Sequence, residues 1–272
     1  MKSRPFIPLV LAIGWALVMT GAAAAQPVPP SSPAEQVFSR GGGDSPFVFS
    51  HYVYLPLVRN ADPLLYDDFN NPAFDGAYDP TLWALSGSSG FLKRQQNGVF
   101  AFSNESDLGP GWNCGSLRLK KPQQRTLAQL QQFEARWRFA SDLAGGRATV
   151  EMNFQSWSFG GHCGAAACVI YADYGSQPML ECAVSCDTGT EYSTGLHEVA
   201  YDTWYTVRIE ADPLTANLRF YLDNKPLGEY TPSQAAQWLK ADDFRSYLAA
   251  CNRDSGTFST RYLDDVRITP AQ

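Results

Sequence analysis

Histidine is scarce in this chain: His51, His162 and His197 are the only three among 272 residues. No Gly-x-Ser-x-Gly elbow occurs either, so a serine nucleophile triad has nothing to rest on. Basic residues number 21 against 27 acidic ones, the formal charge is −6, and no run or stripe of Lys and Arg breaks the pattern. Nucleic acid is therefore not an expected partner, because neutralising a phosphate backbone takes clustered cations. After the first two dozen residues no apolar run approaches the ~20 residues that span a bilayer. Helical patterning is almost missing too, being confined to Ser233 to Ala241, and there is no internal repeat.

What is present begins with an address. Lys2 and Arg4 precede an apolar stretch from Phe6 to Met19, and Ala23-Ala24-Ala25 follows as an A-x-A site. This layout predicts a secretory signal peptide over residues 1–25, cleaved after Ala25. An uncleaved membrane anchor is the alternative, and it asks for a longer apolar run. Residues 26–60 are rich in Pro, Gly and Ser (Pro27, Pro29, Pro30 and Pro33, then Gly41 to Gly43) and read as a flexible leader. Residues 61–272 are the expected folded domain. The mature protein is expected to be secreted or held in the cell envelope, with no span in the membrane.

Period-two alternation runs through that domain. Phe133, Ala135, Trp137 and Phe139 alternate with Glu134, Arg136 and Arg138, and Val150, Met152 and Phe154 alternate with Glu151, Asn153 and Gln155. Tyr205, Val207 and Ile209, then Leu218, Phe220 and Leu222, repeat the pattern. Such runs mark antiparallel strands with one face on a core and the other toward water. Turn signals such as Gln96-Asn97-Gly98, Gly175 to Pro178 and Asp223-Asn224 separate them. The fold class expected is all-β, a single two-sheet antiparallel sandwich.

Six cysteines lie in the domain, at 114, 163, 168, 182, 186 and 251. Their spacing between 163 and 186, with His162 and His197, is near zinc-site patterns. Export favours disulfides instead. If Gly175 to Pro178 turns a hairpin, residues whose numbers sum to about 350 face one another. Cys168 then meets Cys182 and Cys163 meets Cys186, which leaves Cys114 with Cys251. That is one of about 15 possible pairings.

Three stretches carry a family resemblance. Leu65-Tyr66-Asp67-Asp68-Phe69-Asn70, leading to Thr81-Leu82-Trp83, resembles the opening strand of the concanavalin A-like lectin/glucanase jelly rolls. Gln96 to Phe102 is similar to their early Asn-Gly segment, and Tyr262 to Ile268 to their closing strand. Thr203 to Ile209 and Leu218 to Asn224 look like paired strands of laminin-G-like domains. The resemblance implies a jelly roll whose first and last strands lie side by side.

It also implies a site. In the laminarinase-like hydrolases of this fold one strand carries E-x-D-x-E, and Glu151-Met152-Asn153-Phe154-Gln155 resembles it. Glu151 takes the nucleophile position, Asn153 replaces the helper aspartate and Gln155 replaces the acid/base. An amide cannot protonate a leaving group, and retaining hydrolysis needs two carboxylates ~5–5.5 Å apart. Two readings stay open: a plain polar strand face, or a sugar-contacting set of Glu151, Asn153, Gln155 and Trp157, with Glu134 and Arg136 on a neighbouring strand. The leading expectation is a carbohydrate-binding domain whose partner is a polysaccharide or glycan. Its alternatives are a glycoside hydrolase drawing a second acid from Glu134, Asp173 or Glu181, or a structural surface domain. No cofactor is expected beyond a possible structural calcium that the resemblance places at Asp264. The bland reading makes Asp67, Asp68, Asp264 and Asp265 surface or turn acids.

Overall fold

Alternation sorts each strand's side chains onto two faces, and in the computed structural model the apolar faces of two sheets meet. The structure describes residues 65–104, 106–120, 129–155, 164–186, 189–241 and 245–270. The chain divides after Arg59, and Asn60–Gln272 is one compact unit. Of the positions expected inward, Phe133, Ala135, Trp137, Phe139, Val150, Met152, Phe154, Val207, Ile209, Leu218 and Phe220 are buried, and Tyr205 and Leu222 are partly buried against the core.

Sheet I runs β14 (Lys225–Tyr230), β13 (Leu218–Leu222), β12 (Trp204–Ala211), β6 (Leu130–Phe139), β16 (Arg261–Pro270), β4 (Val99–Asn104) and β3 (Phe91–Gln96). A short β1 (Leu65–Asp67) also pairs with β16, in the register Tyr66↔Arg267, so the first and last strands are neighbours. Sheet II runs β10 (Gly189–Ser193), β9 (Met179–Cys186), β8 (Ala165–Asp173), β7 (Arg147–Gln155), β15 (Arg245–Arg253), β5 (Trp112–Leu119) and β2 (Trp83–Gly87), and β11 (His197–Glu198) pairs with β9. Every pairing between strands is antiparallel. The protein is an all-β jelly roll. Its one α-helix among the described residues, α1 (Ala235–Lys240), falls in the stretch with helical patterning and buries Trp238.

Turn chemistry fixes the hairpins. Asn97 and Gly98 have φ of 55° and 72°, and Asp223 and Asn224 have 48° and 63°. Two consecutive left-handed residues make the tight turn whose twist matches paired strands, and Asn, Asp and Gly tolerate it best. At the other end of the chain Asp67 is a joint: its carboxylate accepts from Trp83 Nε1 at 2.6 Å and from the Phe69 amide at 2.9 Å. That joins β1 to β2 across the two sheets.

Two disulfides are described. Cys168–Cys182 links paired positions of β8 and β9 and points into the core. Cys114–Cys251 links paired positions of β5 and β15. The expected Cys163–Cys186 bridge lies outside the described residues, as do the expected signal peptide over 1–25 and the leader over 26–60. No helix among the described residues is long and apolar enough to cross a membrane.

Candidate functional site

β7 turns Val150, Met152 and Phe154 inward, so Thr149, Glu151, Asn153 and Gln155 leave the opposite face of sheet II. Register then fixes their neighbours. Glu151 lies between Ala249 of β15 and Val169 of β8, and Val169 in turn faces Glu181 of β9. Asn153 lies between Tyr247 and Ala167, and beyond them come Arg118 and Ala183. Asn153 and Glu181 are only 6% and 8% exposed although they face away from the core. On the outer face of sheet I the side chains of Arg136 and Arg219 are 38% and 49% exposed. The polar side chains on the outer face of sheet II are the more buried.

Glu151 is held from its own strand. Thr149 Oγ1 donates to one carboxylate oxygen at 3.1 Å and Asn153 Nδ2 donates to the other at 3.2 Å. Cys251 Sγ packs 3.9 Å from Oε1, and because that sulfur is in a disulfide it has no proton to give. Burial pushes the Glu151 carboxyl above its ordinary pKa, and the two donors pull it partly back. Beside it, Tyr247 Oη donates to Gln155 Oε1 at 3.1 Å. Burial, aided by the Glu151 charge, pushes that phenol up, while Arg118 works against the shift. Arg118 Nε reaches Ser116 Oγ at 3.3 Å, and the Ser116 and Ser86 hydroxyls share a bond of 2.6 Å. Further along the face Ser193 Oγ donates to Glu181, and the Gly195 amide donates to that hydroxyl at 2.9 Å.

Of the residues singled out in the sequence, Glu151, Asn153 and Gln155 come together as one polar ridge. Trp157 lies outside the described residues. Glu134 and Arg136 do not join them, which corrects the expectation of a strand neighbouring β7. They sit on β6, in sheet I, and point away from the core on the far side of the sandwich. The physical reason is that residues 140–146 carry the chain from one sheet to the other. Alternation reports which way a side chain points within its strand, not which sheet the strand joins.

On that far side Arg136 and Arg138 lie 5.2 and 5.1 Å from the Trp204 ring, and Arg138 lies 4.2 Å from that of Tyr262. Glu134 takes an ion pair from Arg208 at 3.5 Å. Arg136 also meets Asp264 at 3.5 Å and Asp265 at 2.9 Å. The cation beside Asp264 is thus the chain's own, and these carboxylates fit an ion pair better than the six or more oxygens that calcium takes. Among the described residues no group of three His, Cys, Asp or Glu is arranged to hold a metal. Asp173 pairs with Arg147 through two bonds of 2.6 and 3.2 Å. Asn104, which opens an Asn-Glu-Ser glycosylation pattern, is buried and donates to the Thr257 carbonyl at 2.8 Å.

Tyr247, Ser116 and Arg118 were not legible as site residues. They come from β15 and β5, far along the chain from β7, and only pairing places them on its face. Thr149 could have been found, since it stands two residues before Glu151 in the same phase.

This sheet order, with a polar strand in the middle of one outer face, is a two-sheet jelly roll, and solved structures share the fold. A β-glucanase of Bacillus licheniformis superposes with a TM-score of 0.53 at 14% identity, over 75% of this chain and 97% of that one. The catalytic domain of an endo-1,3-β-glucanase (laminarinase) of Thermotoga petrophila gives 0.53 at 9% identity, over 77% and 97%. The carbohydrate recognition domain of Emp46p gives 0.50 at 14% identity, over 75% and 98%. No protein-family model and no curated protein matches the sequence.

Proposed function

We propose that the protein is an exported carbohydrate-binding jelly roll and that the outer face of sheet II takes a polysaccharide chain. One observation carries this. The polar ridge Thr149, Glu151, Asn153 and Gln155 stands beside a floor of small side chains, Ala165, Ala167 and Val169 of β8 and Ala183 of β9. A sugar chain needs such a trough: low enough to admit a pyranose ring, with amides and carboxylates at its side for the hydroxyls. Tyr247 of β15 flanks the ridge on its other side, with Arg118 6.0 Å from its ring and its hydroxyl bonded to Gln155. The glucanase, laminarinase and carbohydrate-recognition neighbours support the class of ligand. The two disulfides support an oxidising compartment.

Retention on immobilised polysaccharides, followed by titration calorimetry on whichever is retained, tests the proposal. Asn153→Ala and Gln155→Ala are expected to weaken binding at least tenfold, the ~1.4 kcal/mol that a lost buried polar contact costs. Glu134→Ala, on the opposite sheet, is expected to leave binding unchanged. Failure of the native protein to be retained by any polysaccharide, or equal loss from both faces, overturns it.

A further inference from the structure

We infer that Arg261 holds a small monovalent anion of the halide class in the core of the sandwich, through its Nε and Nη2 donors. The site lies on the inner side of sheet I and is independent of the glycan-binding face.

Arg261 opens β16 in the phase of Leu263, so its side chain turns inward, and the residue is 0% exposed. Nη1 donates to Asn252 Oδ1 at 2.7 Å, to the Ser259 carbonyl at 3.2 Å and to the Ser259 hydroxyl. Nε and Nη2 have no partner among the described residues. Those two nitrogens form one edge of the guanidinium, whose parallel N–H bonds grip an anion side-on. Three acceptors of the surrounding cluster are already filled. Asn252 Oδ1 accepts from Arg261 and from Ser259 Oγ at 3.0 Å. Asn104 Oδ1 accepts from Asn252 Nδ2 at 2.7 Å and from the Ser259 amide at 3.4 Å. The Thr257 carbonyl accepts from both asparagines, at 2.8 and 3.1 Å. A carbonyl oxygen has two lone pairs, so none of the three can serve the free edge.

Charge points the same way. Among the described residues no carboxylate forms an ion pair with Arg261. The charge of Asp142 reaches it, but that side chain is exposed and turned to Thr260, which donates to it at 2.8 and 2.5 Å. A second cation stands in the same row, because Lys93 of β3 and Arg261 of β16 both pair with Phe102 of β4. Lys93 is in phase with buried Phe91, and its Nζ donates to the Ser88 carbonyl at 3.1 Å. A buried cation without a counter-charge is strongly unfavourable. Water could fill the hydrogen bonds of the free edge but could not balance its charge, and an anion does both. One negative charge matches the one fully buried cation, whereas sulfate or phosphate would bring an excess into the core. The Phe91 and Phe139 rings lie 5.1 and 5.8 Å from the guanidinium, an apolar setting that suits chloride or bromide.

Thermal melts of the full chain in sodium chloride, with sodium gluconate replacing it at constant ionic strength, test the site. Tm is expected to rise by about 2–4 °C once chloride is several times Kd, and then with its logarithm. Bromide should act as chloride does. Arg261→Lys keeps the charge but not the two-pronged edge, and should lose the chloride dependence. Arg219→Ala removes a half-exposed cation of sheet I and should keep it. Crystals of the native protein grown in bromide give a readout that needs no variant, an anomalous peak at the Nε–Nη2 edge of Arg261. Equal melting in chloride and gluconate overturns the site and leaves the edge to water. Unchanged chloride dependence in Arg261→Lys, or bromide peaks found only elsewhere, overturns it too.

Discussion

Glu151 sits where burial opposes its charge, and that has a consequence for stability. Burial raises its carboxyl pKa in the folded state above the ordinary value, so the folded protein binds its proton more tightly than the unfolded chain does. The stabilisation is complete below the unfolded pKa and is lost as pH rises through the folded one. Glu151→Gln, which keeps the shape and removes the charge, is expected to raise Tm at pH 7. The gain should shrink as pH falls toward 4 and the native side chain becomes neutral. Thermal melts at a series of pH values check this, and a gain that grows on acidification would contradict it.

A second charge is buried more deeply. Arg261 is wholly enclosed in the core, its guanidinium 5.1 and 5.8 Å from the Phe91 and Phe139 rings. Burial draws its pKa down to about 9. Nη1 donates to Asn252 Oδ1 at 2.7 Å and to the Ser259 carbonyl at 3.2 Å, while Nε and Nη2 have no partner among the described residues. Asn252 also donates to Asn104 at 2.7 Å and to the Thr257 carbonyl at 3.1 Å. Removing Asn252 strands several buried polar groups, so Asn252→Ala is expected to cost ~3 kcal/mol. Arg261→Met removes the charge that needs support and should cost ~1 kcal/mol or less. Urea unfolding distinguishes the two, and the reverse order would refute this account of the cluster.

At the scale of elements, what the sequence tells depends on how local a pairing is. The β8–β9 hairpin closes over a few residues, so counting back from its turn places Cys168 opposite Cys182. β6 and β7 are also consecutive, but seven residues let the chain change sheets, and no local signal in that stretch says so. The polar ridge was readable because it lies within one strand. Glu181 was one of three acids that the sequence offers with Glu134 and Asp173, and register alone places it in the row of Glu151. The same contrast between local and distant pairing sets the worth of the disulfides. Cys168–Cys182 spans 14 residues and Cys114–Cys251 spans 137. In the chain-entropy model these contribute about 3 and about 5 kcal/mol. Replacing both members of the longer bridge by Ala is therefore expected to lower the urea midpoint more than replacing both members of the shorter. Equal losses would show that packing around each pair outweighs loop closure.

Among the described residues the sandwich has two outer faces with opposite characters. That of sheet I is occupied by its own ion pairs and stacked guanidinium–aromatic contacts, which tie β6, β12 and β16 together. That of sheet II sets small side chains of β8 and β9 beside a row of largely buried carboxylate and amide groups on β7. Stability and binding are then expected to be separable by mutation. Trp204→Ala removes a ring flanked by Arg136 and Arg138, each contact contributing ~0.5–1 kcal/mol, and should lower Tm in the absence of ligand. The increment in stability from a saturating polysaccharide, about 2.7 kcal/mol at a hundred times Kd, should survive in that variant. Asn153→Ala lies on the outer face of sheet II and should change the unliganded Tm less, yet it should lose much of the increment. Melting each variant with and without polysaccharide gives the comparison. If Trp204→Ala abolished the increment instead, the glycan would have to sit on sheet I, and the division of labour between the faces would be reversed.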